Sequence, residues 1–335
     1  MPTIKVENDV QFFYTDTGLP HTENYTTIIF IHGHTFHAGV FQRLANLATG
    51  RSLRVICLNR REYPGTSPYI TQELKAIQHG NETERTNVIN QQGIYLASFV
   101  NKVIEILSLP QSGGVVLSGW SMGNIFSIAV LASISQLPAA TKARLQTYVK
   151  QVILWDPPSQ SLGIPDPVGA YNPLWDEELP SEARGPAFGK WCASYFHHGD
   201  LRSRNFSEFN QRNPDAEPKP TVESMTQEEL FSVADFVSGS KCETILVEPA
   251  FEKILATQTE KALFDQATRK EWGGAKFWHI YGSANSWNII YSVWCLEKKV
   301  GPLDLNFKLM EGANHLFMWE DPARALDFLQ ECISS

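Results

Sequence analysis

The chain has 335 residues, 43% of them hydrophobic and 11% aromatic, with a formal net charge of −8. That length buries a large core and that composition excludes disorder, so one big α/β domain, or one carrying an insertion, is expected. Lys and Arg never gather into a basic run, which excludes the electrostatic footprint of nucleic-acid binding, and no apolar run approaches the roughly 18 residues of a membrane span.

The N-terminal stretch MPTIKVENDVQFFYTDTG alternates polar and apolar residues and reads as a first strand pair, not a secretory signal. Three short β-branched runs follow, TTIIFIHG (26–33), LRVICLN (53–59) and GVVLSGW (114–120), each ended by glycine or polar residues. Such runs are expected of strands buried on both faces of a parallel sheet. Between them, residues 90–109 place Ile94, Ala97, Val100, Ile104 and Leu107 at three- and four-residue spacings, which predicts a helix with one apolar stripe. The alternation continues with a helix at 124–137 and a strand at 151–156, and much later a strand at 275–282, a helix at 287–300, a strand at 305–312 and a terminal helix at 321–333. Alternating βα units mean helices on both faces of a mostly parallel sheet.

Residues 157–271 break the alternation and are far too long for an ordinary connection, for which about 2–6 residues suffice. They carry helical patterns at 181–198, 226–237 and 250–272. The expected organisation is therefore a core of residues 1–156 and 272–335, with 157–271 as a helical, aromatic cap. Five cysteines (Cys57, Cys192, Cys242, Cys295 and Cys332), odd in number and without a CxxC pair, point to reduced thiols in a cytoplasmic protein.

The chemistry gathers at GWSMGN, 119–124. A serine hydroxyl is a poor nucleophile unless it is exposed, aligned and paired with a base. A sharp strand-to-helix turn exposes it, and the residues two before and two after must then be small, as Gly119 and Gly123 are around Ser121. Here a strand leads in and an amphipathic helix leads out. On these residues the chain resembles the α/β-hydrolase superfamily, over roughly residues 10–156 and 272–335.

The resemblance implies a serine hydrolase without a cofactor or metal, and it orders the machinery as Ser, acid, His. His315, in LNFKLMEGANHLFMWEDP, matches the family's base after the last strand. The oxyanion donors implied are the backbone N–H of Met122 and that of His34, in the His-Gly loop FIHGHTFHAGVF. His32 and His34 also form an H-x-H pair, but no third ligand is in view to complete a metal site. For the acid the chain departs from the common pattern: YGSANSW carries Asn285 where an aspartate is usual. Asp156, in QVILWDPP, takes the family's other acid position, as in polyketide and nonribosomal-peptide thioesterase domains, with Asp166 and Glu320 in reserve. Capping of the next segment is the plain alternative for Asp156.

NRREYPGTSPY (59–69) resembles the family's Arg-Gly-x-Gly-x-Ser loop, so Arg60 and Arg61 buttress the site, the alternative being a substrate carboxylate as their partner. Trp120, His37, Trp191 and Asn285 are candidates for the pocket wall, and packing beneath the elbow is an equal reading of Trp120. The expected partner is a small-molecule ester, thioester or lactone with a fairly bulky apolar group, and the thioesterase-like acid position implies a place in specialised metabolism. A lyase or cyclase using the same site, or a ligand-binding receptor on this fold, is the alternative.

Overall fold

Residues 2–299 and 305–335 are described by a computed structural model; Met1 and residues 300–304, which the sequence reading places in the core, lie outside them. The apolar runs become strands: β1 (Thr3–Lys5), β2 (Gln11–Asp16), β3 (Thr26–Ile31), β4 (Leu53–Leu58), β5 (Val115–Trp120), β6 (Val149–Trp155), β7 (Lys276–Gly282) and β8 (Leu305–Met310). They form one sheet in the order β1-β2-β4-β3-β5-β6-β7-β8. β2 runs antiparallel to both β1 and β4, and every pair from β4 to β8 is parallel. Strand residues alternate between the two faces, as a pleated strand requires. Ile29, Ile31, Leu117 and Leu154 enter one apolar cluster, while Ile28, Phe30, Val116 and Ile153 enter the other.

Helices α1 (Gln42–Ala48), α2 (Thr71–His79), α3 (Glu82–Ile106), α4 (Gly123–Ala132) and α5 (Ala139–Tyr148) connect the first six strands. α3 begins eight residues before the apolar stripe suggested. Asn81 caps it, accepting from the Glu84 N–H at 3.0 Å while the Glu84 carboxylate accepts from the Asn81 N–H at 2.8 Å. Its first turns are polar and lie outside the stripe, so periodicity alone cannot detect them.

Between β6 and β7 lie α6 (Ser181–Cys192), α7 (Thr221–Ser224), α8 (Gln227–Val233), α9 (Phe236–Ser238), α10 (Pro249–Leu263) and α11 (Gln266–Glu271). α10 belongs to the main core. Phe251, Ile254, Leu255, Ala262 and Leu263 are buried in the same cluster as α3 and α4, and the Gln258 amide donates to the Ile125 carbonyl at 2.7 Å. The aromatics of the segment make a second seam. Trp191, Phe196 and Phe209 pack on Trp287, Ile290 and Trp294 of α12 (Trp287–Glu297), a helix outside the segment. Phe231 and Phe236 face outward. The chain ends in α13 (Phe317–Glu320) and α14 (Pro322–Ser334), which packs beside α1 on the other face. Among the described residues no helix is long and apolar enough to cross a membrane.

In this topology β3, β5, β6 and β8 end on one edge of the sheet. The order reverses around β3 and β5, where open α/β sheets leave a crevice beyond their carboxyl ends.

Candidate active site

β5 turns into α4 within three residues, and Ser121 takes a left-handed backbone at φ 56°, a conformation that a non-glycine residue keeps only under surrounding constraint. The constraints are visible. The Ser121 N–H donates to the Trp155 carbonyl at 2.9 Å, and the buried Asn124 amide bridges the Ser121 and Trp155 carbonyls at 2.8 and 3.1 Å. A Cβ on Gly119 would stand 2.5 Å from Ser127 Oγ, and one on Gly123 would stand 2.2 Å from the Ile31 carbonyl oxygen. Both small residues are therefore steric requirements.

His315 follows β8 and brings Nε2 to 2.8 Å from Ser121 Oγ. Its Nδ1 stands 3.4 Å from Asp156 Oδ2, and neither of these two buried atoms has a closer partner among the described residues. Trp120 sits under this pair. Its indole N–H donates to the His315 carbonyl at 3.0 Å and its ring lies 4.9 Å from the imidazole, so it packs beneath the serine turn and against His315.

Asp156 directly follows β6, at φ 46°, and is fully buried. Burial pushes its carboxyl up from the ordinary carboxylate range; the contacts with His315, Asn285 and the Gly282 N–H pull the other way. The Asn285 amide donates to Asp156 Oδ1 at 2.9 Å and the Gly282 N–H donates to the same oxygen at 3.1 Å. Asn285 thus differs from the expected pocket-wall residue: its side chain is completely buried and its amide is engaged by Asp156. His198, from the β6–β7 segment, bonds the Asn285 carbonyl through Nε2 at 2.8 Å. The reserve acids lie elsewhere. Asp166 accepts from Gln160 at 2.7 Å, and Glu320 accepts from Ser224 at 3.4 Å.

The loop after β3 crosses the front of the elbow. A Cβ on Gly33 would meet Ser121 Cβ at 2.7 Å and Oγ at 3.2 Å, so only glycine fits beside the serine. The N–H groups of His34 and Met122 donate to no protein acceptor among the described residues. The His32 ring is buried, with Nε2 accepting from the Arg60 N–H at 3.0 Å; Nδ1 therefore carries the proton and donates to the Gly33 carbonyl at 2.9 Å. Burial, then the Arg60 charge, hold its pKa well below the usual imidazole value. The His34 ring contacts two hydroxyls, Thr35 Oγ1 at 2.7 Å and Thr244 Oγ1 at 3.0 Å. Both members of the H-x-H pair are thus engaged in hydrogen bonds rather than facing a common centre. His37 caps the short turn 38–41, its Nδ1 accepting from the Gly39 N–H at 3.2 Å. Trp191 is buried in the aromatic seam and donates to the Gln211 carbonyl at 2.8 Å.

A model of the alpha/beta hydrolase family matches residues 28–328, a span that takes in the elbow, Asp156 and His315. The chain belongs to the alpha/beta hydrolase family. No curated protein matches this chain. Solved structures similar to it include a putative aryl esterase from Burkholderia cenocepacia, at 15% identity and TM-score 0.57 over 100% of this chain and 99% of that one. An esterase from Rhodococcus sp. ECU1013 matches at 14% identity and TM-score 0.54, over 99% and 98% of the two chains. A bromoperoxidase from Bacillus anthracis matches at 15% identity and TM-score 0.53, over 100% and 99%. Identities this low establish a shared fold, and the different activities in these names show that a fold does not fix a reaction. The reaction therefore rests on the geometry of the site in this chain.

Proposed function

We propose that the protein is a serine hydrolase of carboxylic esters, thioesters or lactones, working through an acyl-enzyme on Ser121. The observation that carries this reading is the 2.8 Å contact between His315 Nε2 and Ser121 Oγ on a serine held at positive φ. Ser121 Oγ attacks the carbonyl carbon as His315 Nε2 takes its proton. Asp156, facing Nδ1, orients the ring and stabilises the imidazolium. The oxyanion is received by the N–H groups of His34 and Met122, which are preorganised by the loop after β3 and the start of α4. His315 then returns the proton to the leaving oxygen or sulfur. Water, deprotonated by the same imidazole, attacks the acyl carbon and releases the acid.

Residues 157–271 serve as the cap in this reading, with α10 as its root in the core. A fairly bulky, apolar acyl or ring group suits it, because the Phe188 ring reaches over the loop after β3 to 6.2 Å from His34. An acid after β6, resembling the thioesterase domains of specialised metabolism, is what supports a role there, and the free cysteines support the cytoplasm as its setting. Mass spectrometry after exposure to a fluorophosphonate probe tests the nucleophile. One adduct is expected on Ser121 and none on the Ser121→Ala variant, with turnover of an aryl ester lost in parallel. A folded wild type that takes no adduct would overturn the reading. Asp156→Asn is expected to lower kcat by about 10⁴-fold, by leaving the imidazole in the wrong tautomer.

A further inference from the structure

The peptide that offers the His34 N–H is the Gly33–His34 peptide, and a trans peptide points its carbonyl and its N–H in opposite directions. Whatever fixes the Gly33 oxygen therefore aims the His34 N–H. Two donors hold that oxygen, His32 Nδ1 at 2.9 Å and Arg60 Nη2 at 2.7 Å, while Arg60 Nε holds the preceding carbonyl, His32 O, at 2.9 Å. A guanidinium presents its donors in one rigid plane, so its own orientation is set by its other partner. That partner is Glu243, bound at both Nη1 and Nη2, the latter at 3.0 Å to Oε2. Both side chains are almost wholly buried.

Glu243 reaches the loop by a second route. Its Oε2 accepts from the Tyr63 hydroxyl, which accepts from the Thr35 N–H at 2.9 Å, so the peptides on both sides of His34 are tied to one carboxylate. The next residue, Thr244, bonds the His34 ring at 3.0 Å and donates to Gly239 O at 3.2 Å. Glu243 lies between β6 and β7, in the turn Gly239–Glu243, about 180 residues from Arg60 in the chain. Two further ties seat this turn on the β4 loop. Ser238 Oγ donates to Glu62 O at 2.8 Å, and Lys241 pairs with Glu62 at 2.6 Å.

We propose that Glu243 is a positioning residue for the oxyanion hole: by clamping Arg60 and Tyr63 it orients the peptide that presents the His34 N–H. The seating of residues 238–244 and the competence of the hole are then one event, which links the cap to the chemistry without any contact to substrate. The proposal rests on the reading of His34 as an oxyanion donor.

The test compares Glu243→Gln and the paired variant Arg60→Met/Glu243→Met with the wild type. The paired variant replaces a buried ion pair by apolar groups of similar volume, which keeps a fold that a lone unpaired charge would endanger. Each is assayed for kcat and KM on an aryl ester, for inhibition by an aryl trifluoromethyl ketone, whose hemiketal oxyanion needs the hole, and for the pH profile. Losing an oxyanion donor costs about 10²–10³-fold in kcat. The paired variant is expected to approach 10²-fold, and Glu243→Gln about tenfold, since glutamine keeps part of the hydrogen bonding. The ketone should weaken by the same factors, with KM and the acid limb of the pH profile unchanged, because Asp156 and His315 are untouched. A folded paired variant with wild-type kcat and ketone affinity overturns the proposal, as does a loss confined to KM. A wild type with neither turnover nor an adduct on Ser121 overturns it together with the functional reading, which separates the two failures.

Discussion

Asn285 stands where an aspartate is usual in the family pattern, and its amide donates to Asp156 at 2.9 Å. Removing a hydrogen bond to a charged group costs about 1.5–3 kcal/mol. Asn285→Ala is expected to lower kcat roughly tenfold, near the lower end of that range because the Gly282 N–H remains on the same oxygen. The acid limb of kcat/KM should move to higher pH, since the amide stabilises only the ionised carboxyl and burial already raises its pKa. An unmoved acid limb would show that the amide does not support the acid. Asn285→Asp would put two carboxyls in one buried site, where both cannot ionise, and should be slower than the wild type at neutral pH. Gly33→Ala makes a separate case. Its Cβ would stand 2.7 Å from Ser121 Cβ, so ester turnover should collapse and overpacking should cost about 1–3 kcal/mol of stability. The juxtaposition of Ser121, Asp156 and His315, the triad proposed above, is legible in the sequence because each follows a recognisable strand in a fixed chain order. The position of Asn285 is legible too, but not its contact with Asp156; Asn124 and Glu243 are not legible, because the partner of each is far away in the chain or is a backbone carbonyl with no signature in sequence.

At the scale of elements, the alternation of apolar runs and helical stripes was enough to place the parallel strands, since burial on both faces leaves its mark on every residue of a run. Helix ends were less legible. The start of α3 is set by a capping box and not by apolar spacing, and the expected helix at 226–237 is broken at Ala234, which bridges to Phe36 beside the active-site loop. The role of α10 could not be read at all: its amphipathic pattern shows that it buries a face, but not that the face lies against α3 and α4. This difference is measurable. Phe251→Ala in α10 is expected to destabilise the whole protein by about 3–5 kcal/mol, as for a core aromatic. Phe231→Ala in α8, at an exposed position, should stay within about 0.5 kcal/mol. A small effect at Phe251, seen by denaturant unfolding, would mean that α10 opens with the rest of the β6–β7 segment instead of anchoring it.

At the scale of the whole molecule, the chemistry lies on one edge of the sheet, and the burial that makes the sheet rigid also traps a histidine in it. His279, in the middle of β7, is fully buried, and neither ring nitrogen has a partner among the described residues; Phe307 and Tyr281 flank it at 5.6 and 6.1 Å. Burial lowers its pKa to about 3. In the unfolded chain the same ring titrates near its ordinary value of about 6.5. Between those two values the unfolded state binds the proton and the folded state does not, so stability is fully present above pH 6.5 and is lost as the pH falls toward 3. His279→Leu removes both the proton site and the unpartnered nitrogens in a similar volume. It should raise Tm at neutral pH by about 2–4 °C, since an unsatisfied buried group costs roughly 1 kcal/mol or more. It should also make the loss of stability between pH 6.5 and pH 3 shallower than in the wild type, leaving the part due to other groups such as His32, whose pKa is also held low. The measurement is the urea midpoint at a series of pH values for both proteins. Parallel curves would mean that the ring is already solvated or paired in solution, and that the stability lost at low pH arises at other groups such as His32 instead of in the sheet.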